Sequence, residues 1–353
     1  MSMERDTLME ILRDACRAPS ADNTQPWRFV VESNTIRVIN TGDQVESIFN
    51  YRQMVNHASL GTCLENLSIS AQSHGFHVDL KLFPDPTDQL RVAEARLVPE
   101  AAAHHELAGY IEKRASNRKK YHPKEIESEK LSELVACAGS TEKVVFVSNK
   151  EEVKNLARIV SAGEKLALEN KSIHDFLFQH VTWTKEEDAK KHGFLIDTFE
   201  FAPPQKALFK LFRNWAVLRF FVPFGFPDFV AKDMAKVYST SGAFGIIVTP
   251  DNSSASYVRA GMLFERIWLT ATKLGLALQP TTGLHFFAQP VLEGNTFDLS
   301  NSTVSFIKEK YSALKRACSI EEEKSVAIVF RIGYADAPSA RTTRFAPNVE
   351  FED

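Results

Sequence analysis

Two short stretches of this chain carry side chains whose types and spacing could do chemistry. The first is Ala18-Pro19-Ser20-Ala21-Asp22-Asn23-Thr24-Gln25-Pro26-Trp27. Two prolines bracket a cluster of small polar residues, the composition of a tight, ordered loop. Its plainest reading is a turn from helix to strand with Asn23 in a left-handed conformation. The second runs from Lys113 through Arg114, Ser116, Asn117 and Arg118 to Lys120, with five basic residues within eight. On charge alone it reads equally as a solvated helix end or as an anion-binding cluster. A purely structural surface helix has no need of Ser116 and Asn117 breaking the run.

The rest of the composition excludes more than it selects. The chain has 353 residues, of which 44% are hydrophobic and 25% charged, as in ordinary globular proteins. With 42 basic against 45 acidic residues the net charge is −3, so no nucleic-acid partner is expected. No polybasic run suggests an anionic membrane, and no membrane partner is expected either. Met1 to Asp14 is too charged for a signal peptide. Cys16, Cys63, Cys137 and Cys318 are far apart, and neither they nor the ten histidines fall at metal-ligand spacings. Reduced, buried thiols in a cytoplasmic protein without a metal are the expectation.

The elements that must position the two stretches can be read from periodicity. Leu8, Ile11, Leu12 and Ala15 lie on one face of a helix ahead of the Asn23 loop, and Arg28-Phe29-Val30-Val31 reads as a strand after it. Thr35 to Ile39 alternates as a second strand, turned at Glu32-Ser33-Asn34. Arg52 to Gly75 is apolar on most sides and reads as a buried helix. Strands follow around Val78–Leu82 and Val92–Val98, with a turn at Pro84-Asp85-Pro86. Glu125 to Ala138 reads as a helix, Lys143 to Val147 as a strand, and Glu151 to Leu168 as a helix. Trp183 to Phe201 is charged and loop-like. Ala207 to Val230 is crowded with phenylalanines, but Arg219, Pro223, Gly225 and Pro227 break any membrane span. That segment reads either as a lid over an apolar pocket or as ordinary core. Phe244 to Val248 is a buried strand, Val258 to Leu274 a long helix stopped at Gly275, Ala277 to Leu284 a strand then loop, and Val326 to Ala335 a core strand.

Taken together, the ten-residue loop and Arg114-x-Ser116-x-Arg118, which precedes an aromatic and a P-x-x-I, resemble the flavin-binding motifs of the nitroreductase family of FMN flavoproteins. The resemblance covers roughly residues 7–100, 107–160 and 240–350. It implies an α+β, nitroreductase-like fold in which Arg114, Ser116 and Arg118 bind the FMN phosphate and ribityl chain. A flavin phosphate carries nearly two negative charges, which guanidinium forks flanking a hydroxyl match. Arg118 would also reach the N1/O2 edge of the ring, where a cation favours two-electron reduction. Pro19, Ser20 and Asn23 would contact the ring, with Gln25 in the same loop. The family's Pro-x-acidic-Gly turn appears as Pro280-Thr281-Thr282-Gly283, with Thr282 where the acid would be. Arg341 and Arg344 match basic residues that close around the phosphate. FMN rather than FAD is expected, since no GxGxxG follows a strand.

The chain also repeats itself. Gly61 to Gly75 lies without gaps over Gly261 to Gly275, with Gly, Glu, Ala and Gly coinciding at 61/261, 65/265, 71/271 and 75/275. Each helix is preceded by a strand region and, further back, by a helix ending Ala-Cys. This predicts two related lobes, 1–105 and 106–353, the second carrying a lid-like insert at about 170–240. One lobe holds the Asn23 loop and the other the arginine motif, so a single FMN site between them is expected. An interface that family members form between chains would then be made within one, permitting a monomer.

The function implied is an FMN-dependent oxidoreductase that moves two electrons through flavin N5 to a small organic acceptor. The resemblance resembles most the long, internally duplicated Acg-like branch. NADH or NADPH is the donor it suggests, left open by Thr282, and no catalytic residue is assigned. The rival reading is a protein that sequesters FMN without nicotinamide-dependent turnover. A dedicated dehydrogenase or dehalogenase is a third.

Overall fold

The computed structural model describes residues 4–101, 104–281 and 283–352. In chain order, α1 (Arg5–Cys16) leads through the 17–26 loop to the hairpin β1 (Trp27–Glu32) and β2 (Thr35–Asn40), turned at Ser33 with φ 54°. α2 (Met54–Ser73) is buried nearly all round and stops at Gly75, whose φ of 83° suits glycine. β3 (Phe76–Leu82) and β4 (Arg91–Pro99) follow. α3 (Ser128–Ala136) and β5 (Lys143–Val147) begin the second half. The stretch read as one helix over 151–168 is two, α4 (Lys150–Val160) and α5 (Ala162–Glu169), breaking at Ser161.

Beyond them lie α6 (Lys171–Gln179), β6 (Val181–Thr182), α7 (Lys185–Asp188) and β7 (Phe194–Leu195). The phenylalanine-rich stretch forms α8 (Pro203–Leu211), α9 (Trp215–Phe221) and α10 (Phe226–Tyr238). β8 (Ala243–Thr249), α11 (Ser254–Lys273) and β9 (Ala277–Pro280) match the expected strand, helix and strand. The loop expected after Pro280 is instead α12 (Gly283–Leu292), and α13 (Asn301–Ala317) precedes β10 (Ser325–Gly333). The chain ends in β11 (Val349–Glu352).

Two sheets result. The first has the order β11-β1-β2-β4-β3, and the second β5-β8-β10-β9. Every residue of β8 and β10 is buried, because helices cover both faces of the second sheet. α4, α5, α12 and α13 contribute to the core on one face, and α3 and α11 to the core on the other. The first sheet has one apolar face, against α1 and α2. β11 pairs parallel with β1, Phe29 opposite Val349. A division at residue 105/106 therefore does not separate the chain cleanly, since its last strand returns to the first sheet.

α2 and α11 cross where both sheets' helices meet, and the crossing is unusually close. A Cβ added to Gly61 would lie 2.0 Å from the Val258 carbonyl oxygen, and one added to Gly261 would lie 2.0 Å from that of Ala58. The contact is reciprocal, and its members stand at the positions the sequence repeat aligns. Beside it, the Arg266 guanidinium donates to both oxygens of Glu65, at 2.7 and 3.0 Å.

Because the colliding atoms are backbone, no side-chain shift relieves a Cβ at either glycine. Gly61→Ala and Gly261→Ala should each cost about 1–3 kcal/mol or more, as overpacked cores do. Gly139→Ala, which meets nothing within 4 Å, should leave the denaturation midpoint in place. Equal midpoints for all three would refute the close crossing.

Candidate functional site

A cavity of about 520 Å³ lies against the crossing, within the range of small-molecule sites. Ala58, Ser59 and Thr62 of α2 and Phe264 and Trp268 of α11 form one wall. Against it sits the loop after α1. Asp22, Asn23 and Gln25 all have positive φ, at 49°, 54° and 48°, so Asn23 does take the left-handed conformation its turn suggested. Side chains hold this strained loop in place. Ser59 Oγ accepts from the Ala21 amide at 3.1 Å, Thr62 Oγ1 donates to the Pro19 carbonyl at 2.6 Å, and Ser20 Oγ accepts from the Gln25 amide at 2.9 Å. Asn23 Nδ2 donates to the carbonyls of Gly193 and Thr343, at 3.0 and 3.1 Å. Pro19, Ser20 and Asn23 line the cavity. Gln25 does not: it accepts from the Phe345 amide at 3.0 Å and donates to the Thr343 carbonyl at 3.3 Å, tying the loop to the C-terminal tail.

The basic segment is not a helix end. Its chain is extended at Ser116, which bridges to Leu278 in parallel, and the Asn117 amide donates to the Leu278 carbonyl at 3.0 Å. Extended chain rises about 3.3 Å per residue, so Arg114 and Arg118 stand far apart rather than as one cluster. Arg114 Nη2 donates to the Arg17 carbonyl at 2.7 Å, and its guanidinium lies 4.6 Å from the Trp268 ring centre. Arg114 Nε is 3.0 Å from Glu265 Oε1, at an angle too oblique for a hydrogen bond. Arg118 Nη1 donates to the Thr198 carbonyl at 3.2 Å, and the group lies over the rings of Phe194 and Phe199. The segment is braced from behind by buried Arg331, which donates 2.7 Å bonds to Gln279 Oε1 and to the Lys119 carbonyl.

The tail completes one end of the cavity. Arg341 donates to the carbonyls of Glu112 and Lys113, at 2.6 and 2.7 Å. Arg344 donates to the Ala18 carbonyl at 3.0 Å, to Thr342 Oγ1 at 2.9 Å, and to Asn23 Oδ1. Arg114, Arg341 and Arg344 therefore line this end of the cavity, with the Glu265 carboxylate against Arg114. Burial, with Arg114 adding to it, lowers Arg344 to about 9. Burial pushes the Glu265 carboxyl up to about 7, against the pull of Arg114. This end has an excess of positive charge, fixed by backbone carbonyls, and suits a dianion.

The other end is different. Arg118 there faces Asp22 and Glu164, whose carboxyls burial raises while Arg118 opposes the rise. The Tyr238 hydroxyl donates to Glu164 at 2.8 Å. Asp22 sits in the loop at a position whose role the motif left open, and no local pattern marks Glu164 or Tyr238. Pro280, Thr281 and Gly283 line the cavity between the two ends, and Thr282 lies outside the described residues. The Thr281 amide is already committed to the Val329 carbonyl at 2.8 Å, while its buried hydroxyl has no partner among the described residues.

The cover comes from α5 and from the first part of the 170–240 insert, not from its phenylalanine-rich part. Gly163 and Glu164 of α5, Phe176 and Leu177 of α6, Phe194 and Thr198 line the cavity, and Phe49 stacks on Phe176 at 3.9 Å. None of the residues from Phe209 to Phe229 does. They cannot be the lid, because their inner rings join Leu168 and Phe178 in a separate apolar cluster.

A model of the nitroreductase family matches residues 1–48 and 111–334. The candidate NAD(P)H nitroreductase acg of Mycobacterium tuberculosis is 24% identical over 287 residues, covering 79% of this chain and 82% of that protein. A second candidate NAD(P)H nitroreductase from the same organism is 32% identical over 123 residues, 33% of this chain and 35% of that one. Among solved structures, a Bacteroides fragilis nitroreductase with bound FMN aligns at a TM-score of 0.37 and 15% identity, over 67% of this chain and 92% of that one. An iodotyrosine deiodinase bound to FMN and 3-iodo-L-tyrosine aligns at 0.39 and 11%, over 68% and 95%.

Glu265 makes stability depend on pH in a definite direction. Its folded pKa, about 7, lies above the ordinary 4.5, so between those values the folded state binds more protons than the unfolded chain. Its contribution is most favourable below pH 4.5 and is lost as pH rises towards 7. Glu265→Gln should flatten that part of the stability-against-pH curve. A slope unchanged by the substitution would assign it to other groups.

Proposed function

The chain belongs to the nitroreductase family, and on that premise we propose that it is an FMN-dependent oxidoreductase reducing a small organic acceptor. The observation that carries the reading is convergence. Three segments remote in sequence, around Asn23, around Arg114 and around Arg344, meet at one cavity with uncompensated positive charge at one end. Arg114, Arg341 and Arg344 would hold the FMN phosphate and Ser116 the ribityl chain. Arg118 would face the pyrimidine edge of the ring. Pro19, Ser20 and Asn23 on one side, and Pro280, Thr281, Thr282 and Gly283 on the other, would flank it. Bound FMN supplies a two-electron carrier whose N5 accepts and returns hydride. The protein's own part is to fix the ring, keep water from it with Phe176, Leu177 and Phe194, and place a cation where reduction builds negative charge. NADH or NADPH is the proposed donor, as the names of the mycobacterial relatives suggest for those proteins.

We propose further that residues 1–105 and 106–353 descend from one duplicated unit, each lobe supplying half of a single site. The reciprocal approach of Gly61 and Gly261 supports this. Four free cysteines, three of them buried, accord with a reducing cytoplasm. A store that sequesters FMN is the second reading, favoured by the aromatic cover.

Heat-released cofactor should be FMN by chromatography. NADPH added without oxygen should bleach the yellow protein, and a flavin that stays oxidised with both nicotinamides would favour the store. Arg114→Ala removes one charge-assisted contact, worth about 1.5–3 kcal/mol, and should weaken FMN binding roughly ten- to a hundredfold. Release of FAD instead would contradict the site.

A further inference from the structure

Outside the cavity, the largest anomaly is the outer face of α8, α9 and α10. Residues 203–238 carry six basic and two acidic side chains, a net +4 in a chain whose total is −3. Both acids are taken: Asp228 pairs with Lys165 at 2.7 Å and Asp233 with Lys236 at 3.6 Å. Lys206 pairs with Asp197. Lys210, Arg213, Arg219 and Lys232 remain exposed, without an ion pair among the described residues.

Between these cations the surface is apolar. Phe220, Phe224 and Phe229 are 65%, 75% and 63% exposed, and Leu208 and Leu211 are exposed with them. The rings form a connected patch. Phe220 lies 5.6 Å from Phe224 and 5.4 Å from Phe221, and Phe226 links Phe221 to Phe229 at 6.4 and 6.5 Å. The inward side of the same helices is already satisfied by Phe212 and Leu218, packed on Leu168 and Phe178. Nothing among the described residues accounts for the outward rings. Contiguous exposed apolar surface of this kind marks an interaction site.

We infer that this face docks on an anionic lipid surface, with the phenylalanines entering the headgroup boundary and the free cations facing lipid phosphates. A short-helix layer with aromatic tips and a basic flank is the pattern of a protein that lies on a membrane rather than crossing it. No helix among the described residues is long and apolar enough to cross. A second copy of the chain is a poorer occupant, because a symmetric contact would set the unpaired cations against their own kind. A nucleic-acid duplex would satisfy the cations but leave the rings in water, and a single strand stacking on the rings would leave exposed Leu208 and Leu211 uncovered. The balanced charge of the whole chain conceals this local excess, which is why composition pointed away from membranes.

The test is co-sedimentation of the full chain with vesicles of phosphatidylcholine alone, or of phosphatidylcholine mixed with phosphatidylglycerol. The expected result is partitioning onto the anionic vesicles that falls steeply with added salt, and little onto the neutral ones. Each Lys or Arg near an anionic surface strengthens binding about fivefold, so Lys210→Glu with Arg219→Glu should cut partitioning by well over tenfold. Phe220→Ser with Phe224→Ser should cut it at least tenfold, and both pairs are exposed enough to leave the fold intact. No partitioning of the wild-type chain onto anionic vesicles, or partitioning unaffected by either pair and by salt, overturns the inference. So does a lipid-free dimer that Phe220→Ser with Phe224→Ser dissolves.

Discussion

The close crossing of α2 and α11 is the constraint on which the rest depends. With glycine at 61 and 261, the two backbones approach to a distance that any Cβ would forbid. That approach sets the separation of the two sheets, whose strands pack against opposite members of the helix pair. It also fixes the cavity, since Ser59 and Thr62, a turn or less from the crossing on α2, are the residues that hold the strained Asn23 loop. A wider helix pair would carry that loop away from Trp268 and Arg114. Packing at Gly61 is thus coupled to the placement of a loop whose anchors, Ser59 and Thr62, lie 38 and 43 residues from it in sequence.

Charge does the second half of the work. Buried guanidinium groups are costly unless something offsets them. Here buried Arg114 and half-buried Arg344 are held by the carbonyls of Arg17 and Ala18, and exposed Arg341 by those of Glu112 and Lys113, which satisfy donors but leave the charge. Glu265, raised by burial to about 7, is only partly ionised near neutral pH and so offsets only part of it. Such an arrangement stores electrostatic free energy that a bound phosphate dianion would release. The opposite end, with Asp22, Glu164 and Tyr238 around Arg118, is closer to balance and less demanding of a partner.

Much of this was legible in the sequence, and for physical reasons. Buried helices such as Met54–Ser73 and strands such as Ser325–Gly333 declare themselves by composition and period. The loop around Asn23 and the arginine segment declare themselves by residues that ordinary turns and surface helices do not need. What stayed hidden is non-local. Val349–Glu352 alternates apolar and acidic residues over only four positions, too short a run to declare a strand or its partner, and it pairs beside Phe29. Glu164 and Tyr238 enter the cavity because α5 and α10 fold over it, a placement no spacing encodes. The phenylalanines of 209–229 suggested a lid by their number, but number does not fix direction, and Phe220, Phe221, Phe224 and Phe229 face outward.

The account rests on one flavin site shared by two unequal lobes, and stoichiometry tests that most directly. The apoprotein is titrated with FMN, by flavin fluorescence, while its mass in solution is measured. One FMN bound per chain at saturation, on a monomer, is the predicted result, because only one junction brings the Asn23 loop to the arginine end. Two flavins per chain, or a flavin held between chains of a dimer, would contradict it.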